Sequence, residues 1–349
     1  MDFRFTEEQL AFRDSLRKLL LEECTTESIR KLWKSENGFN QDRWDKLSNL
    51  GVVGSIIDED DGGLSLSDID LVLMAEEVGY SALPEPLLEV SWVTASLLNR
   101  LPNHNHENWR PKLANGDLLA LTCHEINEFI PNAHLAEFFF LQHGDGLYYT
   151  SKADVELIPR EGLDPSIRIF TIDWNPKRAK RLMHRSESVD LWQEVLNRGA
   201  LLVSAQLIGL TQRLLDMSVD YVKTRQQFGK PIGSFQAIKH LLADIQIQLD
   251  FARPVIYKAA HSLASKGPGR YRDVSYAKLA SSKVSKLAAR SSIQAHGAIG
   301  YTWEADLQIF MKRIWFLDIF WGSHSWHLNR LEKELLSPSS KIGPGASFV

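Results

Sequence analysis

The chain has 349 residues, 44% hydrophobic and 24% charged, an ordinary balance for a folded globular protein and enough length for two or three domains. Its net charge of −4 and scattered charged residues provide no basic field for nucleic acid or an anionic membrane. Two cysteines, Cys24 and Cys123, exclude a disulfide framework, and the densest apolar runs, EFFFLQ and IWFLDIFW, fall short of the roughly 20 residues a spanning helix needs.

The N-terminus, MDFRFTEEQL, lacks a basic stretch followed by an apolar one, so a cytoplasmic location is expected. Thr6 and Gln9 form a capping-box pattern, and Leu10, Phe12, Leu16, Leu19, Leu20 and Leu21 follow at helical spacing, predicting a helix over 6–24. Asn40-Gln41-Asp42 opens a second helix carrying Trp44, Leu47 and Leu50 and ending at Gly51. VVGSII reads as a short extended run and DEDDGGLS as a turn cluster. Helices are predicted over 67–79 and 87–101, with Pro84 and Pro86 between them, so residues 1–115 form an α domain.

Over 116–186 the texture changes. LLALTCHE, EFFFLQH, GLYYTS, DVELIP and IRIFTID are short, rich in β-branched and aromatic residues, and separated by turn residues, which predicts a small antiparallel β domain. Helical spacing returns over 187–336 in the segments 189–224, 235–265, 271–298 and 303–335, joined by short Gly-containing connections, as in a four-helix bundle. Residues 337–349, SPSSKIGPGASFV, read as a flexible tail. The fold class is therefore α+β: an N-terminal helical domain, a small middle antiparallel β domain and a C-terminal four-helix bundle. No metal site is expected, since His104 and His106 have no third ligand at suitable spacing.

Chemistry concentrates in the last domain. Arg225 is a permanent cation whose fork suits a phosphate. Phe228-Gly229 places an aromatic face beside a tight turn, and Gln236 can satisfy an amide or hydroxyl at the start of the next helix. In QAHGAIG, 294–300, small residues let backbone N–H groups approach an anion. Together these groups suit the pyrophosphate of a dinucleotide.

Three stretches carry a family resemblance. TRQQFGKPIGSFQAIKHLLADI, 224–245, closely resembles the acyl-CoA dehydrogenase pattern R-x-x-F-G-x-x-[IL]-x-x-x-Q. QAHGAIGYTWEADLQIFMKR, 294–313, resembles that family's Q-x-x-G-G-x-G-[YF], and GVVGSIIDEDDGGLSLS resembles its L-G-x-x-G-x-x-x-P-E-x-x-G-G-x-G. The resemblance spans nearly the whole chain. It implies an acyl-CoA dehydrogenase-like fold, FAD as cofactor, an acyl-CoA substrate and electron transfer to an electron-transfer flavoprotein. It also implies that Arg225, Gln227, Phe228, Gln294 and Gly297 hold the pyrophosphate and adenylate of the FAD in a neighbouring subunit, with Gln236 and Ser323 as further cofactor-binding candidates.

The family base is a Glu before Gly-Thr, but the aligned stretch here is Phe320-Trp321-Gly322-Ser323. Trp321 has no proton-accepting lone pair. The alternative base position falls on Gly199, and Glu194 lies about one and a half turns away. No catalytic residue is therefore assigned, and Asp318 is read as an ion-pair partner of Lys312, Arg313 or another helix rather than a displaced base. In the family's T-E-P-x-x-G-S-D cradle only Thr122 matches, and Tyr148-Tyr149-Thr150-Ser151 is a remnant of its W-I-T-[NS]-G. The resemblance thus points to one subunit of a hetero-oligomer, such as the α2β2 bacterial enzymes acting on steroid side-chain thioesters. A homomeric flavoenzyme with an altered base and a non-enzymatic acyl-CoA-binding scaffold are the other readings.

Overall fold

The computed structural model describes residues 4–101, 108–144 and 146–337, so His104, His106 and the tail beyond 337 lie outside the described residues. Chain order begins with α1 (Glu7–Glu23), α2 (Thr26–Trp33), α3 (Gln41–Asn49) and α4 (Asp68–Ser81). The capping box closes both ways: the Thr6 amide donates to the Gln9 side-chain oxygen at 2.9 Å, and the Gln9 amide donates to Thr6 Oγ1 at 3.2 Å. Asn40 caps α3 by accepting from the Arg43 amide at 3.0 Å, and Gly51 ends it at φ 82. VVGSII forms no strand. Val52–Ile57 is a succession of buried turns, held by the Leu66 amide on the Ser55 carbonyl and the Ser65 amide on the Ile57 carbonyl. The segment predicted as a helix over 87–101 is a π-helical stretch (Leu88–Thr94) continuing into α5 (Ala95–Arg100), and α6 (Trp109–Ala114) follows.

The strands are β1 (Ala120–Cys123), β2 (Ile130–Pro131), β3 (Phe138–His143), β4 (Gly146–Ser151), β5 (Val155–Arg160), β6 (Ile169–Trp174) and β7 (Lys180–His184). They form a four-stranded sheet, β1-β3-β4-β7, and a three-stranded sheet, β2-β6-β5. Pairing is antiparallel, as expected, except between β1 and β3, which run parallel from Ala120 opposite Phe138 to Cys123 opposite Leu141. Trp109 packs on this sheet, its ring 4.7 Å from Phe138 and 5.0 Å from Tyr149.

The C-terminal elements are α7 (Arg185–Thr224), a hairpin of β8 (Gln226–Gln227) and β9 (Lys230–Pro231), α8 (Gln236–Ala264), α9 (Arg270–His296), α10 (Leu307–Ile319) and α11 (His324–Leu335). The predicted helix over 303–335 is thus two helices. The break has a backbone cause: Trp321 and Gly322 take φ 57 and 97, which an α-helix cannot accommodate. Inner faces of α8 and α9 bury Ile245, Leu249, Ile256, Val274, Ala277, Val284 and Ala288.

The chain divides into two compact units. One takes Asp14–Leu71 and Pro84–Gly199, and the other takes the first helical turns, Val72–Leu83 and the described residues from Ala200 on. A fully buried ion pair organises the first unit: Arg43 Nε meets Glu85 Oε2 at 2.9 Å, with both side chains at 0% exposure. Removing one partner from such a pair leaves an uncompensated charge, so Glu85→Ala is expected to lower stability by about 3–5 kcal/mol. Equilibrium urea unfolding measures this, and a loss below 1 kcal/mol contradicts it.

Candidate functional site

The anion-site candidates lie together at one end of the second unit, on the C-terminal turn of α7, the β8–β9 hairpin and the C-terminus of α9. Arg225 directly follows α7, with its amide on the Tyr221 carbonyl (2.9 Å) and its carbonyl accepting from Ile232 (2.9 Å). These bonds fix its backbone, while its exposed guanidinium meets no hydrogen-bond or ion-pair partner among the described residues. Gln227 and Lys230 pair across the hairpin, and the two residues between them, Phe228 and Gly229, both have positive φ (56 and 78). That is the signature of a type I′ turn, where Asn or Gly is the usual occupant. Phe228 pays the left-handed backbone penalty while 91% exposed, with one ring contact among the described residues, edge-on to Phe235 at 6.1 Å.

The α9 end completes this surface. Gln294 is exposed in its last turn, and Gly297 follows at φ 65 and ψ −142, a conformation open only to glycine. Apart from its sequence neighbours, a Cβ on Gly297 would meet nothing within 4 Å among the described residues, so its bare backbone faces outward. The two ends are held together by Tyr221 and His296, whose rings stack at 4.2 Å and 17°. The His296 Nδ1–H donates to the Ser292 carbonyl at 2.8 Å. Gln236, the first residue of α8, is also exposed.

Ser323 lies elsewhere. Its hydroxyl caps α11 by accepting from the Trp326 amide at 3.3 Å. Beside it Trp321 is 1% exposed. Its carbonyl accepts from His327 Nε2–H at 3.0 Å, and His327 Nδ1 accepts from the Ser275 hydroxyl at 3.1 Å. Lys278 of α9 is buried, and its ammonium donates to the carbonyls of Leu317 (2.6 Å), Asp318 (3.2 Å) and Phe320 (2.9 Å). Burial pushes the Lys278 pKa down to about 7, and the nearby Asp318 carboxylate opposes that by favouring the charged form. Asp318 pairs with Lys286 of α9 at 3.2 Å, the other-helix partner foreseen for it, rather than with Lys312 or Arg313. Lys278 and His296 stand eighteen residues apart on α9, roughly 27 Å at 1.5 Å per residue, so the Trp321 corner is distant from the Arg225 group.

Other sequence candidates are absorbed by packing. In the first unit, Thr122 Oγ1 lies 2.9 Å from Thr94 Oγ1, both buried. Tyr149 stacks on Trp109, Tyr148 and Thr150 are buried, and Ser151 donates to Asp154 at 2.6 Å. Glu194 pairs with Arg100, and Gly199 lies within α7. A cavity of about 770 Å³ is lined by Pro254, Val255 and Tyr257 of α8, Leu279 and Ala280 of α9 and His324 of α11, with Lys258 there paired to Asp273 at 3.2 Å. Sequence reasoning missed Lys278, Tyr221 and His296. For Lys278 the signal is its spacing with Val274, Ala277 and Ser281, which places it on the buried face of α9.

The family model for the acyl-CoA dehydrogenase N-terminal domain matches residues 6–117, and that for the acyl-CoA dehydrogenase C-terminal domain matches residues 189–336. The chain belongs to the acyl-CoA dehydrogenase family. It is 29% identical to acyl-CoA dehydrogenase IpdE2 of Mycolicibacterium smegmatis over 95% of this chain and 99% of that protein. Its fold matches a chain of the ChsE4-ChsE5 complex from Mycobacterium tuberculosis with a TM-score of 0.85, at 21% identity, over 97% of this chain and all of the other. A steroid acyl-CoA dehydrogenase, Tcur3481-Tcur3483, matches with a TM-score of 0.85 at 19% identity over 94% of this chain and 97% of that one. Among the described residues no helix is long and apolar enough to cross a membrane, and no group of three or more His, Cys, Asp and Glu could hold a metal ion.

Burial pushes the His327 pKa down to about 3 and that of His124, packed edge-on to Trp192, down to about 4. Both are neutral in the fold, whereas the unfolded chain binds protons at these sites once the pH falls through about 6.5. Stability is therefore expected to fall as the pH drops below 6.5, by about 2 kcal/mol per histidine at pH 5. Urea unfolding of the wild type and of His327→Gln at pH 7 and 5 checks this, with a smaller pH effect expected in the variant.

Proposed function

We propose that the chain is one subunit of a heteromeric, FAD-dependent acyl-CoA dehydrogenase, supplying Arg225, Gln227, Phe228, Gln294 and Gly297 to the pyrophosphate and adenylate of a flavin seated in a sister subunit. The observation that carries this reading is Phe228: a strained, 91%-exposed aromatic beside an unpartnered Arg225, a surface built for something outside the chain. The residues fit the group. A guanidinium fork suits a diphosphate, Gly297 lets the backbone approach closely, and the Phe228 ring offers an apolar face.

FAD supplies the hydride acceptor for the β-carbon of an acyl-CoA thioester. The accompanying α-proton needs a carboxylate. At the expected base position this chain has Trp321, a donor-only indole sealed in the α10–α11 corner. Thr122 and Tyr149, the remnants of the flavin cradle, are committed to Thr94 and Trp109. The base and cradle then belong to the sister subunit, an arrangement supported by the fold match to the ChsE4-ChsE5 complex. The likeness to a steroid acyl-CoA dehydrogenase supports a steroid-derived thioester as substrate, with an electron-transfer flavoprotein as acceptor.

Expressed alone, the chain is expected to be colourless and inactive. Co-expressed with an acyl-CoA dehydrogenase subunit that retains Glu-Gly-Thr, it should purify as a yellow, active complex. Trp321→Glu should leave the lone chain inactive, because Thr122 and Tyr149 remain occupied. Bound flavin and turnover by the lone chain would sink the reading.

Phe228→Asn separates folding from binding. Asn tolerates the left-handed turn, so the lone chain should unfold at the same urea concentration or higher. FAD affinity of the complex should fall about tenfold, or 1.4 kcal/mol. An unchanged affinity counts against the Phe228 contact.

A further inference from the structure

We propose that His296 is a proton-linked contact of the diphosphate site, taking up one proton at Nε2 when the dinucleotide docks beside it. This rests on the flavin reading above and adds to it a residue, a protonation state and a pH dependence.

Position is the first argument. His296 is the last residue of α9, directly before Gly297 with its outward-facing backbone. Its ring stacks at 4.2 Å on Tyr221, whose carbonyl anchors the Arg225 amide one turn later. The imidazole thus sits between the two backbone points that frame the anion surface.

Tautomer is the second. A carbonyl can only accept, so the 2.8 Å contact with Ser292 fixes the proton on Nδ1. Nε2 is the nitrogen left to titrate, on a half-buried ring held by two restraints. When neutral it offers an anion a lone pair, which repels. When protonated it offers a donor and a charge, which attract.

Electrostatics is the third. Burial holds the His296 pKa below its ordinary value, the Ser292 bond opposing it, and no charged side chain of α7, α9 or the following turn adds to the shift; Tyr221 is the titratable group on its face. In the free chain at neutral pH the ring is therefore neutral. A diphosphate brought against it favours the charged form, so docking draws a proton from solvent. By linkage, flavin affinity should rise as the pH falls.

The test measures the FAD dissociation constant of the two-subunit complex by flavin fluorescence at pH 6, 7 and 8. Four forms are compared: wild type, His296→Gln, His296→Phe (which keeps the ring on Tyr221) and Arg225→Ala. Wild-type affinity should weaken at least fivefold more between pH 6 and 8 than that of either His296 variant. Calorimetry in buffers of different ionisation enthalpy should register proton uptake on FAD binding in the wild type and less in His296→Phe. Arg225→Ala should weaken binding at every pH with the wild-type slope. Identical pH slopes in the wild type and both His296 variants overturn the proposal, and if Arg225→Ala still weakens FAD the flavin reading survives. No effect of Arg225→Ala removes both.

Discussion

Helix α9 is the constraint on which the rest depends. Near one end, Lys278 gathers three carbonyls at the close of α10 and so sets where the chain turns at Trp321. At the other, His296 stacks on Tyr221 and sets where the Arg225 hairpin and the Gly297 loop meet. One continuous helix cannot bring its two ends together. The Trp321 corner and the Arg225–Gly297 surface therefore lie at opposite ends of one helix and cannot share a site. In this chain one of those ends is open and the other is filled.

The filling is specific in its physics. A helix that stops on three carbonyls buried under a neighbour needs donors for them, and an ammonium supplies three at once. The residues that follow adopt positive φ, and the indole of Trp321 closes the volume below. His327 then anchors the Trp321 carbonyl from α11. The carbonyls of Leu317, Asp318, Phe320 and Trp321 all find donors within the corner, so it is a packed piece of core rather than an open pocket.

Much of this was legible beforehand. The Thr6–Gln9 box, the Asn40 cap and the β1, β3 and β4 runs are local signals, and local signals survive folding. The candidate site is legible only as a set of words, Arg225, Phe228, Gln294 and Gly297, which the fold brings to one end of the second unit. What stayed hidden depends on tertiary partners. VVGSII is apolar because it is buried, and an apolar run of that length reads as extended although the chain turns there. β7, KRLMH, has no strand character apart from its pairing with β4. Trp321 looked like helix interior because a φ of 57 at Trp has no sequence signature. The Tyr221–His296 stack joins residues 75 apart. Ser323 was grouped with the cofactor residues by alignment, but its hydroxyl caps a helix at the far end of α9.

The exposed hairpin has a consequence for how such a protein is kept in a cell. Phe228, Tyr301 and Trp303 are 91%, 80% and 63% exposed on the same unit. Aromatic surface of that kind invites any apolar neighbour, including other copies of itself and chaperones that patrol for unfolded chains. A chain that wears such aromatic residues outward is therefore safest when made in step with whatever covers them. The timing of synthesis, and not affinity alone, becomes part of what the exposed type I′ turn demands.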